Sequence, residues 1–199
     1  KKNIELEKFE KPKNYYAISK YFLDKYARKV IKKNQDIKII GLRYFNVFGP
    51  FESHKEEMTS MVYKFFHQIK KDKIIRVFEG SHGYRKGEHL RDFIYIDDAI
   101  KFTYWALKNK SLKSGIYNVG SGQSNSINQL ANYVKQWFKK YKNIDSKIEY
   151  IKFPKKFYKG YQAYTKASLA KVRKSGYKFK TSKLENTTNK YLNYLDEKF

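Results

Sequence analysis

Cysteine is absent from the 199 residues. That excludes a disulfide scaffold, a thiolate zinc site and a cysteine nucleophile. Long apolar runs are missing too, and nothing approaches the ~18 residues of a membrane span. The first ten residues, Lys1 to Glu10, are charged throughout and lack the apolar stretch of a secretory signal. Acidic residues are few, 19 against 44 Lys and Arg, for a formal net charge of +25. His54, His67, His82 and His89 do not fall at metal-ligand spacing, so no metal site is expected.

What is present is apolar and aromatic. Hydrophobic residues make up 41% and aromatics 18%, too many for a disordered chain despite the charge. The length suits one ordinary domain or two small ones that share a core. The expectation is a soluble, cytoplasmic globular protein with no membrane partner. The cationic excess is lysine, 38 residues against six arginines. Readers of duplexes and phosphates lean on the planar arginine fork, whereas these lysines are spread over nearly every segment. Lys, Tyr, Phe, Ile and Asn share AT-rich codons, so base composition accounts for the excess without a nucleic-acid partner. Residues 139–199, with 17 basic and five acidic side chains, read as solvated lysine faces.

Strand and helix patterns alternate, which argues an α/β class with a mostly parallel sheet. Asn14 to Ile31 is a helix by its three- and four-residue steps. Asp36 to Phe48 is a near-continuous apolar run, the pattern of a strand buried on both faces. Met58 to Ile69 is helical, and Ile74–Phe78 and Asp92–Ile96 are short strands around a loop from Glu79 to Leu90. Asp97 or Asp98 is placed to cap a helix over Ala99–Leu107. Gly115–Val119 is a buried strand, and Ser126 opens a helix over Ile127–Lys140. Lys147–Phe153 alternates as a strand and Pro154–Tyr161 is loop. Thr165–Lys174 and Ser182–Leu195 are helical, with Gly176 as the C-cap between them.

Tyr16 and Lys20, spaced i, i+4, project from one face of the first helix. An ammonium beside a phenol favours the phenolate, and such a tyrosine can exchange a proton with a sugar hydroxyl. The spacing alone is unselective, since Tyr21 and Lys25 share it, and a half-buried helix tyrosine is the ordinary alternative. Its context is more specific. After the helix come Arg43-Tyr44-Phe45-Asn46-Val47-Phe48-Gly49-Pro50, then Arg91-Asp92-Phe93-Ile94-Tyr95-Ile96-Asp97-Asp98, then Tyr117-Asn118-Val119-Gly120-Ser121-Gly122. In that order these motifs resemble the extended short-chain dehydrogenase/reductase family of nucleotide-sugar enzymes. The loops Glu52-Ser53-His54-Lys55, Phe78-Glu79-Gly80-Ser81 and Gly160-Tyr161-Gln162-Ala163-Tyr164-Thr165 are similar to those of its ADP-heptose epimerase branch. The likeness runs from about Lys11 nearly to the C-terminus.

The resemblance implies the carboxyl-terminal part of a Rossmann-type parallel sheet plus a smaller α/β substrate-binding domain. Residues 1–44, 92–122 and 164–176 would belong to the first, and 45–91, 123–163 and 177–199 to the second. It implies an isomerase that inverts C6 of ADP-glycero-manno-heptose through a 6-keto intermediate with bound NADP, or NAD. Such a role belongs to lipopolysaccharide core heptose metabolism, and the full-length enzyme would be a homo-oligomer. Tyr16 and Lys55 are the implied acid/base pair, and Lys20, Val47 and Lys55 the implied cofactor contacts. Asn46, Phe78, Glu79, Gly80, Ser81, Arg91 and Tyr161 are the implied substrate contacts. Glu57 and Lys64 occupy two further substrate positions where the family pattern has serine and histidine, and the loop from Gly80 to Arg91 is longer than usual.

Physical chemistry supports several of these placements. A guanidinium at Arg91 suits a diphosphate, with an ion pair to Asp92 or Asp97 as the alternative. Lys55 lies in a polar loop after a buried strand, where open α/β sheets bind ligands. Tyr161 can stack on a ligand or serve an interface equally well. The glycine-rich strand–turn–helix that cradles a dinucleotide pyrophosphate has no counterpart in the sequence. The chain therefore reads as the carboxyl-terminal portion of a longer enzyme, inactive alone. Two other readings stay open: another UDP- or GDP-sugar epimerase or dehydratase of the same family, and a basic, non-catalytic nucleic-acid-binding protein.

Overall fold

The computed structural model describes residues 7, 10–12, 14–34 and 36–199. Residues 1–6, 8, 9, 13 and 35 lie outside the described residues, and part of the segment assigned above to the cofactor domain lies with them. In chain order the elements are α1 (Tyr15–Lys33), β1 (Ile40–Tyr44), β2 (Asn46–Phe48), a 3-10 turn (Ser53–Met58), α2 (Met61–Asp72), β3 (Ile74–Phe78), β4 (Leu90–Arg91) and β5 (Phe93–Tyr95). There follow α3 (Ile96–Lys108), β6 (Gly115–Val119), β7 (Asn125–Ser126), α4 (Ile127–Lys142), β8 (Lys147–Ile151), a second 3-10 turn (Lys155–Gly160), α5 (Ala170–Lys174) and α6 (Leu184–Lys198). Pairs β1–β6, β2–β5 and β3–β8 are parallel, and β4–β7 is antiparallel.

The run expected as one strand, Asp36–Phe48, is two, because it changes neighbour at Phe45. The Phe45 N–H donates to Val119 O at 2.9 Å, the last rung beside β6. The Asn46 N–H then donates to Asp92 O at 3.1 Å and β2 continues along β5. β1 is half-buried rather than enclosed on both faces, because among the described residues it has one lateral partner. α1 is capped by Asn14, whose Oδ1 accepts from the Ala17 N–H at 2.8 Å. It buries no side chain, and Tyr15, Tyr16, Phe22, Leu23 and Tyr26 are all exposed. Partly buried ions fix it in place: Glu10 pairs with Arg28 and Arg43, and Arg43 with Asp24.

Three helix expectations shift for identifiable reasons. α2 starts at Met61 rather than Met58, because Ser60 Oγ accepts from the Tyr63 N–H and caps it there. Asp97 and Asp98 lie inside the first turn of α3 and cap nothing; Asp98 accepts instead from the Ser182 N–H at 2.7 Å. Thr165–Lys174 is helical only from Ala170, because its first residues bond to Leu90 and Asp92 instead. Thr165 N–H donates to Leu90 O and Ala167 N–H to Asp92 Oδ2. Pro154–Tyr161 contains the second 3-10 turn rather than plain loop. Gly176 follows α5 with φ +91, in the left-handed position that ends a helix.

Two hydrophobic clusters meet at the β2–β5 ladder. One gathers Val62, Phe66 and Ile69 of α2, Leu130, Val134 and Phe138 of α4, and Tyr191, Leu192 and Leu195 of α6. The other gathers Ala99, Phe102 and Ala106 of α3 with Tyr117, Val119 and Val172. Strand alternation sends Phe93 and Tyr95 into the first and Ile94 into the second. β2 is divided likewise, Phe48 to the first and Val47 to the second. Asn46 opens β2 and Asp92 immediately precedes β5, while the turn with Lys55 follows β2.

Candidate active site

One wall of the site is aromatic and holds a buried cation. Phe78, at the end of β3, meets Phe153 with ring centroids 5.3 Å apart, and Phe153 meets Tyr161 at 4.8 Å. The guanidinium of Arg91 lies 4.8 Å from the Tyr161 ring centroid. β4 fixes Arg91 opposite Asn125, and the side chain is drawn inward until the residue is 8% exposed. Its Nη1 donates to Leu90 O at 3.1 Å. A guanidinium has five N–H donors, and among the described residues no carboxylate pairs with this one. Neither suggested partner is available: Asp97 pairs with Lys190 at 2.7 Å, and Asp92 is engaged elsewhere. Burial lowers the Arg91 pKa from its ordinary value and raises that of the Tyr161 phenol. Burying a guanidinium without an anion is costly, and an anion placed against this wall would offset that cost.

The loop behind the wall is closed by a chain of polar atoms. Gly80 turns it so tightly that an added Cβ would stand 2.2 Å from Tyr84 O. Ser81 Oγ lies 2.8 Å from His89 Nε2 and 2.9 Å from His82 Nδ1, while His82 Nε2 lies 2.8 Å from Tyr158 O. A carbonyl only accepts, so His82 Nε2 carries the proton. In the neutral ring Nδ1 then accepts from Ser81, whose oxygen accepts from His89 Nε2–H. The His82 ring also stacks on Tyr158, centroids 4.3 Å apart. This longer loop joins the Phe78 side of the wall to the Tyr161 side. The Glu79 N–H adds a bond to Ile151 O at 2.8 Å. A cleft of about 720 Å³ opens beside it, lined by Gly80, Arg85, Lys86, Glu88 and Tyr150.

Asp92 braces the floor. It is fully buried and accepts from Ser121 N–H and Oγ–H, both at 2.7 Å, from Gly122 N–H at 3.0 Å and from Ala167 N–H at 2.8 Å. Burial pushes its carboxyl above the ordinary aspartate value, against the pull of those donors. Asn46 Nδ2 donates to Asp92 O at 2.9 Å and lies 3.3 Å from Thr165 Oγ1. Val47 is half-buried beside it.

The remaining expected residues lie on two exposed segments. Tyr16 and Lys20 face solvent on α1, Tyr16 67% exposed, with Lys20 Nζ 5.2 Å from its ring centroid. Asn14 Nδ2 donates to Gly160 O at 3.4 Å, which brings the head of α1 to the turn preceding Tyr161. Lys55 lies in the exposed turn after β2, its N–H donating to Glu52 O at 2.9 Å. Glu57 and Lys64 touch each other, Lys64 Nζ donating to the Glu57 carbonyl at 2.5 Å. The structure thus joins Phe78, Ser81, Arg91 and Tyr161 in one wall with Asn46 near its floor; no hydrogen bond joins Tyr16 to Lys55 among the described residues. Sequence reasoning missed His82, His89, Phe153 and Thr165, whose roles arise from contacts across the fold. Asp92 was expected only as an ion-pair partner for Arg91; an acid between an arginine and an apolar strand run was the signal for its bracing role.

The chain is similar to known proteins in both sequence and fold. The family model for the NAD dependent epimerase/dehydratase family matches residues 1–120. An ADP-L-glycero-D-manno-heptose-6-epimerase from Brachyspira hyodysenteriae is 40% identical over 192 residues, 96% of this chain and 57% of that protein. One from Alkalilimnicola ehrlichii is 38% identical over 92% of this chain and 55% of its own length. The solved ADP-L-glycero-D-manno-heptose-6-epimerase of Helicobacter pylori superposes with a TM-score of 0.77 at 34% identity, covering 98% of this chain and 55% of that one. The chain therefore spans a little over half the length of the curated relatives it matches. Motif order, parallel α/β pairing and a family match over most of its length agree, and the chain belongs to the NAD dependent epimerase/dehydratase family.

Proposed function

We propose that this chain is the sugar-binding and acid/base portion of a nucleotide-sugar epimerase that inverts C6 of ADP-glycero-manno-heptose. The observation that carries the reading is Arg91, a buried guanidinium without a carboxylate partner, set against Tyr161 and beside Phe78 to Ser81. A nucleoside diphosphate supplies the missing anion through bidentate phosphate contacts. Support for the heptose comes from relatives of that name that are alike over nearly the whole chain. The two hydrophobic clusters support a division into a cofactor domain (1–44, 92–122, 164–176) and a substrate domain (45–91, 123–163, 177–199).

The residues present fit one part of a nicotinamide cofactor site, for NADP or NAD. Lys20 and Tyr16 face solvent side by side, and Lys20 has no carboxylate partner among the described residues, leaving its donors for ribose hydroxyls. Val47 would add an apolar contact. When bound, a nicotinamide supplies a reversible hydride acceptor for the C6–H bond. In the oxidative half, Tyr16 would take the proton from O6 as C6 is oxidised, giving a 6-keto sugar. In the reductive half, Lys55 would give a proton to O6 on the opposite face of the sugar. The two residues exchange roles in the reverse direction, and the net redox change is zero. Asn46, Glu79, Ser81, Glu57 and Lys64 would hold the sugar, and Arg91 and Tyr161 the diphosphate.

Glu57 and Lys64 favour keeping a second reading, another nucleotide-sugar epimerase of the family, because both depart from the expected substrate pattern. Assay of the chain joined to the amino-terminal part its relatives carry distinguishes the two. Inversion of ADP-heptose with UDP- and GDP-sugars inert supports the first reading. The reverse preference supports the second.

A further inference from the structure

We propose that Glu52 is the positioning residue for Lys55, its carboxylate closing the neck of the loop that carries that lysine and tying it to Tyr191 of α6. The proposal rests on the reading of Lys55 as an acid/base group. Glu52 is 3% exposed, and a carboxylate so buried must be fully hydrogen-bonded. Oε2 accepts from the Ser60 N–H at 2.7 Å, and Oε1 accepts from Ser60 Oγ at 2.5 Å and from Tyr191 Oη at 2.8 Å. Residues 53–59 therefore leave and return to one carboxylate. Its negative charge also lies at the N-terminus of α2, where the helix dipole favours it. Burial and the adjoining carboxylate raise the Tyr191 pKa far above the ordinary tyrosine value, so that phenol remains a donor.

The loop inside this neck has little slack. Phe51 (φ 66) and Glu56 (φ 49) both have left-handed backbone without being glycine. Such residues are strained and persist only where the surroundings hold them. Phe51 is held edge-on to Tyr194 of α6, centroids 5.8 Å apart. The Glu56 carbonyl takes both the N–H and Oγ of Thr59, at 3.2 and 2.8 Å. Lys55 lies between the two strained residues with its own N–H bound to Glu52 O. Tyr191 packs on Phe48, centroids 6.3 Å apart, at the end of the strand that carries Asn46 and Val47. One carboxylate thus sets the Lys55 loop in register with β2. Helix capping alone does not require a tyrosine from a helix 139 residues away.

The test uses the chain joined to the upstream part of its relatives, with Glu52→Gln, Tyr191→Phe and Lys55→Met compared. An amide nitrogen cannot accept, so Glu52→Gln leaves converging donors facing one oxygen. Tyr191→Phe is the milder variant should Glu52→Gln fold poorly. The expected result for both is kcat about 10- to 100-fold lower, as a displaced catalytic group produces, with KM within twofold. The limb of the pH–rate profile that Lys55→Met abolishes should shift in both. Normal kcat and an unmoved limb in folded Tyr191→Phe, with Lys55→Met slow, would overturn the positioning role and leave Lys55 intact. Normal turnover by Lys55→Met would overturn the reading beneath it, and the proposal with it.

Discussion

Arg91→Met should move binding and stability in opposite directions. In the free protein the guanidinium is buried with one carbonyl and one aromatic face for company. Methionine forfeits that hydrogen bond, about 1 kcal/mol, and a cation–π contact of about 0.5–2 kcal/mol. It also removes a desolvation cost that reaches several kcal/mol for an unpaired buried ion. The balance is a stability unchanged or higher, with Tm equal to or a few degrees above wild type. Binding of an anion loses charge-assisted bonds worth about 1.5–3 kcal/mol, or roughly 10- to 150-fold in Kd. Calorimetric titration with ADP and with inorganic pyrophosphate, beside thermal denaturation of both proteins, reads the two effects separately. Pyrophosphate affinity within twofold of wild type would refute the assignment. So would a large fall in Tm accompanying the lost binding, because Arg91 would then be a structural ion whose partner had been overlooked.

Other outcomes follow from the same geometry. Tyr16→Phe in the completed enzyme should abolish most turnover while nucleotide-sugar affinity stays nearly constant, and unchanged turnover would exclude the phenol. Lys55→Met should slow at least one epimer direction, whereas changing Lys64 should mainly weaken substrate binding; steady-state kinetics in both directions checks this. Burial lowers the pKa of both His67 and His89 below the imidazole value of 6.5, with Lys70 adding to the effect at His67. Their contribution to stability is therefore complete above about pH 6.5 and is lost as pH falls through the depressed values. Tm should drop between about pH 7 and pH 5, and His67→Phe should flatten part of the drop; a flat wild-type profile would contradict it. The chain alone should neither turn over nor hold NADP tightly. Its hydrogen exchange should be fastest in α1 and β1, slowest around Phe66, Leu130 and Leu192, and slowed in α1 when the upstream part is added in trans. Micromolar NADP binding by the 199 residues would contradict this.

Local chemistry was legible where local rules decide the outcome. Ser126 caps its helix by a short-range bond, and the alternation of β3 and the apolar run of β6 report burial directly. Partner exchange was not legible. Asp36 to Phe48 reads as one strand because its apolar run is nearly continuous, and only its neighbours reveal that β6 gives way to β5 at Phe45. Thr165 to Ala167 was misread as helix because its bonds go to Leu90 and Asp92, more than 70 residues away. In the site, the family resemblance singled out Arg91 and Tyr161, but their contact is a tertiary fact. Glu52 was visible as a letter beside Lys55; its burial under Tyr191 was not, since a glutamate in a polar loop ordinarily faces water.

The central claim is that a hydride leaves C6 and returns to the same carbon on its other face. ADP-heptose deuterated at C6, incubated with the completed enzyme in ordinary water, tests it most directly by mass spectrometry and NMR of the product. The account predicts inverted configuration at C6 with the deuterium retained there, since the hydride is carried and returned without meeting solvent. Inversion with the label washed out into water would mean proton abstraction at carbon, and it would contradict the mechanism whatever the roles of Tyr16 and Lys55.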